Sequence, residues 1–314
     1  MTTVERAPPK VRHTRHGQVP REVVPFRILW PYFVGVPLVH ALCLLALLPW
    51  FFSWTGVALL LAGHYCFGML GMTVGYHRLL AHRAFTCPKW FEHFLAVLGV
   101  CCLQDSPARW VAIHRKHHQH SDEQSDPHSP LAGFLWGHFG WLMFENRHLS
   151  QVEFYDRYGN DLLRDRFYFR LEKHAGWLWV YLIHAALFFA AGLAIGWIVS
   201  GEYGQGVQFG LSLLVWGVIL RTVFVWHVTW SVNSLTHIWG YRNYATRENS
   251  RNNWIVSLLA HGEGWHNNHH AEQRAAAHGH KWWELDPTYL TIRLLSAVGL
   301  AREVVKPRCW ADAK

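Results

Sequence analysis

Four blocks of this sequence stay apolar for the roughly 20 residues that a helix needs to cross the hydrocarbon of a bilayer. They run over about 31–52, 54–76, 176–199 and 208–228. Buried core helices of a soluble domain are the alternative, but four such runs are rare in soluble chains. A short turn around Ser53–Gly56 joins the first two blocks, and the Gly/Ser-rich "SGEYGQG" joins the last two. Each pair therefore reads as a hairpin that returns to the side it left. The expected fold is an all-α membrane protein, with four transmembrane helices in two hairpins and a helical cap on one side.

That topology puts the N-terminal tail and the cap segments 77–175 and 229–310 on one face. The tail carries Arg6, Lys10, Arg12, Arg15, Arg21 and Arg27 beside few acids. Positive-inside bias assigns this face, with both termini and the cap, to the cytoplasm. The formal charge of +8 suits a chain resting against anionic lipid, so no nucleic-acid partner is needed to explain it. The count of 19 tryptophans fits the same setting, because indole favours the headgroup level. Residues 1–24, with Pro8, Pro9 and Pro20, read as a disordered basic tail, and 25–310 as a single membrane domain. The polar, basic N-terminus predicts no cleavable signal peptide. The 6 cysteines form no C-x-x-C pair, and vicinal Cys101–Cys102 reads as packing. Three shorter segments do not span. Phe91–Gln104 reads as an interfacial or re-entrant helix, Asp161–His174 as an amphipathic surface helix, and Asn252–Ala260 as a short apolar helix.

On this apolar background stand 24 histidines, many in repeated patterns. "HRLLAH" holds His77 and His82, "HRKHH" holds His114, His117 and His118, and "HNNHH" holds His266, His269 and His270. In "NSLTH", Asn233 and His237 are spaced i, i+4. Helical neighbours at i, i+3 and i+4 share a face, so each H-x-x-H-H block is expected to aim three imidazoles at one point. His77 and His82 lie about 140° apart on an α-helix, which predicts two different ions. All ten residues fall on the cap face, near membrane exits. Nine imidazoles exceed what one ion takes and suit two ions with four or five ligands each. Imidazole suits iron, copper, nickel and zinc alike, and spacing does not choose among them.

The remaining histidines have plainer readings. His40, His64, His184 and His227 lie within spans, where a polar residue hydrogen-bonds across helices. His13 and His16 lie in the tail, and His278 and His280 in a polar loop. His120, six after His114, leaves the shared face. Asp122, Glu123 and Asp126 read equally well as acceptors for ligand N–H groups or as a solvated acidic loop.

"GYHRLLAHRAF", "HRKHHQHSDEQSDPHSP", "NSLTHIWGYRNY" and "GEGWHNNHH" closely resemble the integral-membrane fatty acyl desaturases, in their Δ9 acyl-CoA/acyl-lipid branch. The resemblance covers roughly 30–305, with the motifs in order between spans. It implies a cytosolic cap holding two non-haem iron ions. By motif match His77, His82, His114, His117, His118, His237, His266, His269 and His270 would be direct ligands. Asn233 would hold one iron through water, and Trp110 would line the acyl tunnel near its bend. No catalytic residue beyond these ligands is implied. The family's reaction uses O₂ and two electrons to remove two hydrogens from adjacent methylenes. An unactivated C–H demands such an oxidant rather than an acid or base. In animal acyl-CoA members an Arg-Asp pair before the second motif contacts the nucleotide part of CoA. Ala112 and Ile113 stand there here, which tilts the reading toward members acting on membrane lipids. No fused electron-transfer domain is expected. The donor would be a separate protein, such as a ferredoxin or a b-type cytochrome system, docking on the basic face. Two other readings remain at this point: a membrane hydroxylase of an alkyl, sterol or carotenoid substrate, and a non-enzymatic haem or metal carrier using the in-span histidines.

Overall fold

The structure, a computed structural model, describes residues 17–310. Among the described residues it is helical, with isolated bridges but no strand. Four helices are long and apolar enough to cross a membrane: Trp30–Leu47, Trp54–Ala81, Arg166–Ser200 and Tyr203–Ile238. No residue of the first is fully buried: Val36, Val39 and Cys43 pack partly against the fourth, and Leu38, Leu44 and Leu47 are all exposed. Such a helix is stable only with lipid around it. It starts with Pro31 in its first turn, where a missing N–H costs nothing. It stops short of the expected residue 52 because Pro49–Phe51 forms a separate 3₁₀ turn. Ser53 then caps the second span, its Oγ accepting from Gly56 N at 2.9 Å.

The second and fourth spans run past their expected ends at 76 and 228, to Ala81 and Ile238. Both continue as helices into the cap, and these extensions carry His77, Asn233 and His237. The third and fourth spans close as a hairpin on small residues. A Cβ added at Gly192 would lie 2.7 Å from Gly210 Cα, so only glycine permits this approach.

Lys89–Val100 packs along the second span, burying Leu95 and Val100 and exposing Trp90 and Phe94. Gly71 and Gly99 meet at the crossing, where an added Cβ would strike the facing backbone. Just beyond this helix, Arg221 of the fourth span is wholly buried. Its Nη2 donates to Cys101 O at 3.0 Å, and its guanidinium lies 4.2 Å from the Phe67 ring. Cys101 and Cys102 are buried packing residues beside it.

The amphipathic segment expected over 161–174 is broken at Asp165, which caps Arg166–Glu172. A kink at His174 and Ala175 then leads into Gly176–Ser200. The short helix expected over 252–260 spans Trp254–Leu259. Of the in-span histidines, His40 and His227 meet across two spans with Nε2 atoms 3.0 Å apart, and His64 Nε2 lies 2.9 Å from Leu259 O. His184 has no such partner and is enclosed by the Phe67 and Phe188 rings. Most of the expected disordered tail lies outside the described residues. Its last part, 17–24, is packed instead: Gly17 N donates to Leu131 O at 3.0 Å, Gln124 Nε2 to Val19 O at 2.7 Å, and Val23 is buried.

Candidate metal centre

From His64 to Ala81 the second span is wound as a π-helix, and His82 N donates to His77 O at 3.1 Å. Hydrogen bonding from i to i+5 stacks residues five apart on one side. His77 and His82 therefore converge, with ring centroids 4.8 Å apart. The expectation that they serve two ions assumed an α-helix and is corrected.

The H-x-x-H-H blocks each divide. On an α-helix the i+4 residue lies about 40° to one side of residue i and the i+3 residue about 60° to the other. In Pro107–His120, His114 and His118 turn together and His117 turns away. In His266–Ala271, His266 and His270 pair and His269 turns away. The expectation of three imidazoles per block on one point gives way to this division.

Two buried groups result. His77, His82, His114, His118 and His269 form one, and His117, His237, His266 and His270 the other, with ligand atoms in each group within 4.8 Å of one another. In the first, Nε2 atoms are separated by 2.8 Å (His82–His114), 3.0 Å (His114–His118), 2.9 Å (His118–His269) and 3.2 Å (His77–His269). In the second, His237 and His266 Nε2 are 3.1 Å apart. A neutral imidazole has a single N–H, so hydrogen bonds cannot close such a ring of nitrogens. Adjacent corners of an octahedron with metal–nitrogen bonds of roughly 2.1 Å lie about 3.0 Å apart. The spacing therefore fits lone pairs gathered round a cation.

Carboxylates set the tautomers. His77 Nδ1 lies 2.6 Å from Glu263, His117 Nδ1 3.0 Å from Asp126, His237 Nδ1 3.1 Å from Asp122 and His270 Nδ1 3.5 Å from Glu248. With the proton held on Nδ1, Nε2 offers its lone pair inward. His117 and His270 Nε2 are buried with no hydrogen-bond partner. The acids are anchored in turn: Arg78 donates to Glu263 at 3.0 Å and to Asp286 at 2.9 Å, and Asp122 accepts from Ser129 Oγ and Asn249 N, each at 2.8 Å.

Burial works to raise the Glu263 carboxyl, but Arg78, His77 and His278 beside it hold it well below the usual range. Asp126 and Asp122 are lowered against burial by His117 and His237 respectively. Burial pushes His82, His114, His118, His266 and His269 well below the ordinary imidazole value, and His270 to about 4. These imidazoles are neutral at pH 7, as ligands must be.

Of the three acids after the second motif, Asp122 and Asp126 face the groups. Glu123 pairs with His120 at 3.0 Å, outside both. Sequence reasoning missed Glu248 and Glu263, although Glu263 stands three residues before His266 within "GEGWH". It also left His278 in a polar loop. His278 is buried, with Nδ1 3.2 Å from Glu263 and its ring 4.3 Å from that of His269. His128, unconsidered there, stacks on His117 at 4.4 Å.

Two cavities reach the first group. One, of about 580 Å³ and largely apolar, lies among the first, third and fourth spans and Pro107–His120. The other, of about 50 Å³, lies deeper against Gly68, Met72 and Val225. Both are lined by Trp110, His114, Thr229 and Asn233, so a chain passing from one to the other must pass the histidines. Trp110 stacks on His114 with centroids 5.0 Å apart, and Gln104 Nε2 donates to Thr229 Oγ1 at 3.1 Å beside it.

Residues 49–297 match the fatty acid desaturase family. The chain belongs to that family. The desaturase is 40% identical over 280 residues to the sn-2 palmitoyl-lipid 9-desaturase of Nostoc sp. (strain 36), covering 89% of this chain and 91% of that one. It is 40% identical over 281 residues to the sn-1 stearoyl-lipid 9-desaturase of Synechocystis sp., covering 88% and 80%. It is also 39% identical over 268 residues to an acyl-CoA 5-desaturase of Anemone leveillei, covering 85% and 77%. It is a fatty acyl desaturase, an oxidoreductase of lipid metabolism with helices suited to a membrane. These relatives do not favour the hydroxylase alternative, and enzyme family membership displaces the carrier reading.

Proposed function

We propose that the nine imidazoles hold two iron ions, with Asn233 reaching one through water. The enzyme then introduces a cis double bond, of Δ9 type, into a saturated acyl chain carried on lipid or CoA. One observation carries this reading: two clusters of converging Nε2 atoms stand where an apolar cavity narrows past Trp110. Iron, supplied with O₂ and two electrons, provides the oxidising power that an unactivated methylene requires. The protein's own part is placement. Apolar walls exclude water from the chain, and Trp110, Thr229 and Asn233 set which carbons lie against the histidines. The Nδ1 carboxylates keep Nε2 of His77, His117, His237 and His270 unprotonated and aimed.

Residues 25–310 act as one membrane unit with the cap in the cytoplasm. Exposed Trp30 and Trp179 at the cap ends of two spans, and Trp50, Trp54 and Trp197 at the far ends, are placed as two interfacial belts. Electrons come from a separate ferredoxin or b-type cytochrome system at the basic cytosolic face. Expression in a host lacking its own desaturase, with double bonds mapped by lipid class, tests the reading. A cis-9 alkene is expected. Hydroxylated chains as the main product would overturn it.

A further inference from the structure

The C-terminal segment folds back over the cap. Ala276 N donates to Val305 O at 2.7 Å, Val305 N to Ala84 O at 2.9 Å, and Trp310 Nε1 to His280 O at 3.3 Å. The Trp310 ring packs edge-on against Tyr289, with centroids 5.4 Å apart. These contacts bring Cys309 to two residues that neither imidazole group uses, Glu272 and His280. Glu272 directly follows the helix His266–Ala271, and His280 lies in the loop after it.

Cys309 Sγ, a ring nitrogen of His280 and a carboxylate oxygen of Glu272 all lie within 4.8 Å of one another. Each residue is half-buried, so solvent reaches the group. Arg308 N donates to Glu272 Oε2 at 2.8 Å and steadies the carboxylate from the segment that carries Cys309. Tyr244 Oη lies 2.8 Å from His280 Nδ1, and His280 Nε2 is buried with no hydrogen-bond partner. The hydroxyl can donate or accept, so the ring is free to turn a lone pair to an ion. Burial holds His280 below the ordinary imidazole value, so the ring is neutral at pH 7.

We propose that Glu272, His280 and Cys309 form a further metal site that takes one zinc ion, with a water beside Tyr244 in the fourth position. A thiolate, an imidazole and a carboxylate are the donors zinc takes, and three protein ligands plus water complete its tetrahedron. The thiolate favours zinc over harder ions such as magnesium and calcium. Binding releases the Cys309 thiol proton to solvent. It ties the C-terminal segment to the end of the helix that carries three of the nine imidazoles. The site is independent of which metal the imidazole groups hold.

Cobalt(II), titrated to saturation into the full-length holoenzyme in detergent micelles, tests this. A thiolate bound to cobalt gives an intense near-ultraviolet charge-transfer band, which imidazole and carboxylate ligands do not give. That band should appear with cobalt and be abolished by zinc. Cys309→Ser should lose it, and Cys87→Ser, at a thiol packed against the core, should keep it. His280→Ala and Glu272→Gln should each weaken zinc binding by about tenfold or more, read by competition against cobalt. In wild type, saturating zinc should slow iodoacetamide alkylation of Cys309 by about tenfold, mapped by mass spectrometry. This last readout depends on no variant folding. Absence of the band, a band that survives in Cys309→Ser, zinc affinity unchanged in both His280→Ala and Glu272→Gln, or alkylation of Cys309 indifferent to zinc would each overturn the proposal.

Discussion

Four imidazoles of the two groups, His77, His117, His237 and His270, are held from behind by a carboxylate at Nδ1 while Nε2 faces the cluster. Removing one ring therefore does more than delete a contact. His117→Ala or His269→Ala should lower unsaturated product by at least about 100-fold while the protein still inserts in the membrane, measured by fatty-acid analysis and membrane fractionation. His120→Ala should retain most activity, because His120 faces Glu123 outside both groups. Asp126→Asn keeps the shape but no longer holds the His117 Nδ1 proton as a carboxylate does. It should weaken iron binding by about 10–100-fold, read by chelator competition. All ten proposed ligand positions were legible in the sequence, because the motif spacing is local. The partition into five and four was not. It depends on which side of the helix axis i+3 and i+4 fall, and on a π-wound turn that no residue pattern announces. Glu248 and Glu263 were missed because they reach His270 and His77 through the fold rather than along a helix face.

At the level of elements, the apolar runs marked the spans, but their ends were misjudged by five residues or more where a helix continued into the cap. The apolar runs end where polar residues begin, and hydropathy alone does not show that the helix carries on into the cap. The crossing of the second span with Lys89–Val100 has no room for a side chain at Gly71. Gly71→Val should therefore destabilise the protein by about 1–3 kcal/mol or more, seen as a lower thermal midpoint in detergent. Acid should act on the cap as well. His82, His114, His118, His266, His269, His270 and His278 are depressed by burial below the unfolded value, so as pH falls below about 6.5 the unfolded chain takes up protons that these rings refuse. His270 and His278 refuse protons down to about pH 4, and His128 down to about 3. Depressed Asp126 and Glu263 act in the same direction at lower pH. The metal-free protein should lose stability steadily as pH falls through this window, followed by denaturation midpoints. A flat profile would contradict the burial of these rings.

At the scale of the molecule, two hairpins and a cap bring together imidazoles up to 192 positions apart, His77 and His269. Through the hairpin lengths, the sequence conveyed that they meet at one end of the spans. It could not convey the cavities, whose walls come from three spans and a cap helix. The central claim is that the two imidazole groups hold two irons. Iron counting on purified protein, with each group broken in turn, tests it most directly. Wild type should carry two non-haem irons per chain, and both His82,His118→Ala and His237,His270→Ala should lose at least the iron of the broken group. A single iron in wild type, another metal in its place, or variants that keep the full count would contradict the account.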